Sequence, residues 1–163
     1  MANPKDTKPK TIFDYVCARI AEPLQELGFK HRKSKKDIYM ADDNFIYRIW
    51  FQPSMKYGGS IRFIVHVSVE SENGVIFATT LANLTKREQT LVWHDVTMLY
   101  ERERVILEIH NQVNEFAIPF FKRFENIDLL IEEVSEYGFL PHRFKKSKVY
   151  LEQHIDNFIA CFK

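Results

Sequence analysis

The chain has 163 residues, 45% of them hydrophobic and 28% charged, enough to bury one core without staples and too apolar for wholesale disorder. Its formal net charge of +1 excludes a global field that could hold a polyanion, so a nucleic-acid role has to rest on local clusters. No apolar run approaches the ~18 residues of a membrane-spanning helix. The stretch 1–10 is polar, carries Pro4 and Pro9 and lacks the apolar segment of a secretory signal. The expectation is a cytoplasmic protein with no membrane contact, a disordered tail over 1–10 and one domain over 11–163. Cys17 and Cys161 lie near opposite ends among apolar neighbours, which fits core packing in a reducing compartment better than a disulfide. Fourteen Phe, seven Tyr and two Trp make the core aromatic, while five Gly argue against a glycine-rich phosphate cradle.

In chain order, Ile12, Phe13, Val16, Ile20, Leu24 and Leu27 recur at three- and four-residue intervals and predict a helix over 12–27. Thr11 is the expected N-cap and Gly28 the left-handed terminator. Pro23 removes a backbone donor and predicts a kink or break near Ala21 and Glu22. A basic loop over 30–36 follows, then strands over 38–41 and 45–52 joined by the turn residues Asp42, Asp43 and Asn44. Alternation places Phe45, Tyr47, Ile49 and Phe51 on one face and Ile46, Arg48, Trp50 and Gln52 on the other. In the next strand, 61–70, Ile61, Phe63, Val65, Val67 and Val69 face inward, while Arg62, His66, Ser68 and Glu70 face outward. Asn73-Gly74 is a hairpin signal before a strand over 75–80. Between 80 and 97 the pattern is weak, and residues 91–93 read as a short strand or as a loop packed by Trp93.

The second half reads as helical. Val105, Ile109, Val113, Phe116, Phe120 and Phe124 form a stripe at helical spacing interrupted by Pro119. Further helices are expected over 127–137, capped by Asn126, and over 149–162. The sum is an α+β domain: an antiparallel sheet of four to five strands packed against an N-terminal helix and C-terminal helices.

The order of these features resembles a known family. A helix with an internal proline ends in Leu27-Gly28-Phe29, and an aromatic strand ending at Gln52 precedes an alternating apolar one. Trp93 precedes a long helix, and Ala117-Ile118-Pro119-Phe120-Phe121 leads through Phe124 to Leu129 and Leu130. Over 12–134 the chain is similar to the uncharacterised bacterial family called domain of unknown function 4304. The resemblance implies the fold and carries no activity to transfer.

Two basic clusters stand out. Residues 30–36 hold five cations, Lys30, Arg32, Lys33, Lys35 and Lys36, and 142–148 hold Arg143, Lys145, Lys146 and Lys148. Brought together they would form a phosphate-binding patch with Tyr39, Tyr47, Trp50 and Tyr57 as stacking partners. Apart, each is a solvated loop. Acidic residues of the helices, Glu101, Glu103 and Glu108 among them, balance these clusters and predict a bipolar surface.

No histidine pair has the spacing of a helical zinc site, and neither a nucleophile elbow nor a nucleotide-binding fingerprint occurs. No metal, cofactor or catalytic residue is therefore assigned, and an enzyme ranks third. His66 beside Arg48 and Arg62 on the outward sheet face is the most site-like histidine. The leading expectation is a non-enzymatic binding protein that uses Arg48, Trp50, Arg62 and His66 with the adjoining basic loop against an acidic protein surface. Size and class liken it to toxin-neutralising immunity proteins. The alternative is a nucleic-acid or other polyanion binder working through 30–36 and 142–148.

Overall fold

The structure is a computed structural model; it describes residue 3 and residues 8–54, 59–71, 74–85 and 91–125. The helices expected over 127–137 and 149–162, Cys161 and the second basic cluster lie outside the described residues. Within them, the chain runs α1 (Pro9–Gln25), β1 (Lys30–Arg32), β2 (Asp37–Ala41), β3 (Ile46–Ser54), β4 (Arg62–Ser71), β5 (Gly74–Thr80), α2 (Leu81–Thr85), β6 (His94–Asp95), α3 (Leu99–Gln112) and α4 (Ile118–Lys122).

The strands form one antiparallel sheet in the order β1-β2-β3-β4-β5, with β6 pairing the start of β4 through Arg62–Asp95 and Phe63–His94. The expected antiparallel α+β architecture is present, extended by two short strands. Period-2 alternation sets its faces. Ile38, Ile49 and Val67 stand in one inward row, and Tyr47 and Val69 in another. All of these are at most 1% exposed. The buried apolar side chains of the described helices join the same inward cluster, so these helices cover one face of the sheet. Phe45, Tyr47, Phe77, Phe120, Phe121 and Phe124 meet there with ring centroids 5.3–6.5 Å apart.

Four local expectations are corrected. Helix α1 starts at Pro9, with Lys8 as N-cap, so Thr11 lies inside it; proline suits the first helical position, where its missing N–H has no partner to lose. The helix also continues through Pro23 without a break. The carbonyl of Arg19, which Pro23 cannot bond, accepts a hydrogen bond from His110 Nε2 of α3 at 3.0 Å. Residues 30–32 form edge strand β1 rather than part of a loop, in register with Asp37–Tyr39. Finally, the short strand is His94–Asp95, and Trp93 before it is 39% exposed and does not plug the core.

The end of α1 was legible. Gly28, at φ +98°, donates to Gln25 O, and Phe29 N donates back to Leu24 O, each at 3.1 Å. This double closure needs a left-handed residue at Gly28. The Asp42 turn closes as expected, its Oδ1 accepting from the backbone of Asn44 at 2.8 Å and Phe45 at 2.7 Å. Between α3 and α4 the backbone takes a π turn over Val113–Ala117, directly before Pro119. The wider turn absorbs the donor that Pro119 lacks, so the apolar stripe continues instead of breaking.

Candidate functional site on the outer sheet face

The face of the sheet turned away from the core carries two cross-strand rows. One runs Arg32, Asp37, Trp50, His66 and Thr80; the next runs Lys30, Tyr39, Arg48, Ser68 and Ala78. Directly opposed side chains on one face lie within contact of each other, so these residues form one continuous array.

Asp37 is its centre. The carboxylate is 0% exposed and accepts from Arg32 Nε at 2.8 Å, Arg32 Nη2 at 2.5 Å and Arg48 Nε at 2.6 Å. Burial by itself would raise its pKa, but the bonds from Arg32 and Arg48 outweigh that and hold it below the ordinary aspartate value. The same bonds fix both guanidinium groups. Arg48 also reaches Glu70 at 3.5 Å. The Arg32 guanidinium lies 4.0 Å from the centroid of Tyr39, and that of Arg48 lies 5.9 Å from Trp50.

On its other side Trp50 stacks on His66, with centroids 3.9 Å apart and planes 10° apart. His66 Nε2 donates to Gln52 Oε1 at 2.8 Å, and burial lowers the pKa of this ring. Arg62, further along β4, lies 5.8 Å from the Trp93 ring. Two buried polar atoms of this face, Arg62 Nε and Ser68 Oγ, have no hydrogen-bond partner among the described residues.

The expected site residues therefore divide. Arg32, Arg48, Trp50 and His66 are brought together, Lys30 stands in the adjoining row and Arg62 extends the face. Lys33 leaves the group and lies 3.5 Å from Asp14 of α1. Lys35 and Lys36 are exposed at the β1–β2 turn, where Lys36 adopts φ +52°. Arg143, Lys145 and Lys146 fall outside the described residues, so the union of the two basic clusters does as well.

Sequence reading missed Asp37. The available signal was an aspartate at an outward strand position, where that residue type is depleted, directly after a run of cations. It also missed the inward turn of His31, whose Nε2 is buried without a partner among the described residues and whose pKa is lowered by burial. Cys17 is 3% exposed, and burial pushes its thiol well above its ordinary value; such a thiol is packing, not a nucleophile. Among the described residues no group of three or more His, Cys, Asp or Glu side chains could hold a metal ion. No helix among them is long and apolar enough to cross a membrane.

An antiparallel sheet with helices on one face and an arginine–aromatic array on the other defines a small α+β domain. The chain belongs to the family described as Domain of unknown function (DUF4304), which matches residues 20–123. That span contains every described strand and the whole array, while the cluster at 142–148 lies beyond it. No curated protein and no solved structure matches the chain.

Proposed function

We propose that the protein is a non-enzymatic binding module that recognises an acidic protein surface through the outer face of its sheet. The observation that carries this is the Asp37-centred array. A fully buried carboxylate holds two arginines in fixed forks beside Tyr39 and Trp50, the residue types that dominate protein interfaces. Among the described residues Lys30, Arg32, Arg48 and Arg62 on this face outnumber its carboxylates, Asp37, Glu70 and Asp95, the last opposite Arg62 across β4 and β6, and this small excess favours an anionic partner. The aromatic rings are already taken: Arg32 lies over Tyr39, and Trp50 lies between Arg48 and His66. A base-stacking platform needs open ring faces, so this geometry supports a protein partner over a single-stranded nucleic acid. An immunity-like role is the form of this function to which the chain's size and class point.

The test is a photoreactive phenylalanine analogue at Ala78, an exposed position in the Arg48 row, used in cells that make the protein naturally. A discrete adduct with one acidic protein is expected, weakened about tenfold or more by Trp50→Ala or Arg48→Ala and retained in Lys35→Ala. Adducts with nucleic acid, or a protein adduct indifferent to Trp50 and Arg48, would overturn the proposal.

A further inference from the structure

A second surface has the opposite chemistry. Between β6 and α3 lies a cleft of about 670 Å³. His94 lines it, is 8% exposed and makes no side-chain hydrogen bond among the described residues. Its ring rests 5.5 Å from Phe63, and burial lowers its pKa, which keeps it neutral. A ring so buried that still faces the cleft, with no protein partner among the described residues, places a polar group on the cleft wall.

The walls are apolar and open. Trp93 is 39% exposed, Met98 56% and Tyr100 77%. Leu91 and Leu107, nearby in the chain, are 65% and 60% exposed. Trp93, Met98 and Tyr100, all lining the cleft, form an exposed apolar patch of the kind that marks an interaction surface. Among the described lining residues the charges are mainly acidic: Asp95, Glu101 and Glu108 against Arg104. Arg104 Nε donates to Glu101 at 2.7 Å and Nη1 lies 3.5 Å from Glu108. A guanidinium of the chain itself thus rests between the two carboxylates of the rim, held among the described residues by two surface pairs along one helix that water screens heavily.

We propose that this cleft docks a cationic segment of a partner protein, seating a lysine or arginine side chain with its stem against Trp93 and Met98 and its charge at Glu101 and Glu108. Long cationic side chains pair an apolar stem with a charged head in this manner, and the exposed Tyr100 ring adds cation–π attraction. Arg104 occupies in cis the place that the incoming cation takes. The site is separate from the Asp37 array and prefers the opposite charge, so either can fail without the other.

The experiment is a nuclear magnetic resonance titration of the isotope-labelled full chain with two decapeptides, one alternating Lys and Leu and one alternating Glu and Leu. The Lys/Leu peptide is expected to shift resonances of residues 92–108, and the Glu/Leu peptide to leave them in place. Glu101→Gln with Glu108→Gln is expected to weaken binding about fivefold, whereas Arg104→Ala, which frees both carboxylates, is expected to tighten it about threefold. All three positions are on an exposed helix face, and unchanged melting curves confirm that the variants fold. Equal binding of both peptides, shifts away from the cleft, or affinities indifferent to these substitutions would overturn the proposal. So would self-association of the free protein through these residues, which would make a second copy the occupant.

Discussion

Asp37 shows how one side chain can organise a surface. Its two arginine partners are a quarter to a third exposed, so its removal falls short of the cost of breaking a fully buried ion pair. Asp37→Asn is expected to lower stability by about 2–3 kcal/mol at neutral pH. A carboxyl whose folded pKa is depressed stabilises above its unfolded value, here the ordinary 3.8, and loses that contribution as pH falls through the folded value. Urea unfolding of both proteins across the acid range is therefore expected to show the gap between them closing as pH drops. His66 acts in the same direction. Burial lowers its pKa below 6.5, so the neutral ring stabilises above that pH and protonation in acid opposes folding. Neither role was readable from the chain alone: alternation gives the face of a side chain, while the partner that buries it comes from the register of another strand.

Elements were legible where their periodicity was long. Helix α1, strands β3 and β4 and the stripe of α3 were each carried by several apolar residues at fixed spacing. Strands β1 and β6 have three and two residues, too few to show a period, and exist only because β2 and β4 offer them a ladder. The break expected at Pro23 failed for a non-local reason. The carbonyl that proline orphans is satisfied by His110, 91 residues away in sequence, and Arg19 of the same turn forms a two-pronged pair with Glu103 at 2.7 and 3.0 Å. Helices α1 and α3 are thus bonded where α1 is weakest. His110→Ala is expected to cost about 1–1.5 kcal/mol in the native background. With Pro23→Ala, which returns an N–H to the Arg19 carbonyl, the same change is expected to cost less than half as much. Chemical denaturation of the double-mutant cycle measures the difference.

Across the whole molecule the near-zero net charge conceals separation. Among the described residues the sheet face carries arginines and a lysine, and the cleft beside α3 carries carboxylates. What composition could not reveal is that the two surfaces touch. Arg62 belongs to the sheet face, and its guanidinium lies against Trp93 at the border of the cleft. Arg62→Ala is accordingly expected to weaken the Ala78 adduct by about threefold to tenfold and, by removing a cation from the border of the cleft, to tighten the Lys/Leu peptide by about twofold. Substitutions at Arg48 are expected to affect only the adduct and those at Glu101 only the peptide. Adduct yields and peptide titrations on the same set of variants check this pattern.

The π turn at Val113–Ala117 also sets a phase. One residue of α-helix advances the winding by about 100°, so a chain shortened by one position there would rewind α3 and α4 as a uniform spiral. Phe120, Phe121 and Phe124 would swing away from Tyr47 and Phe77 as a block. The number of residues in that one loose coil, more than their identity, keys the far half of the helical layer to the sheet, and insertions or deletions there would be tolerated less than substitutions.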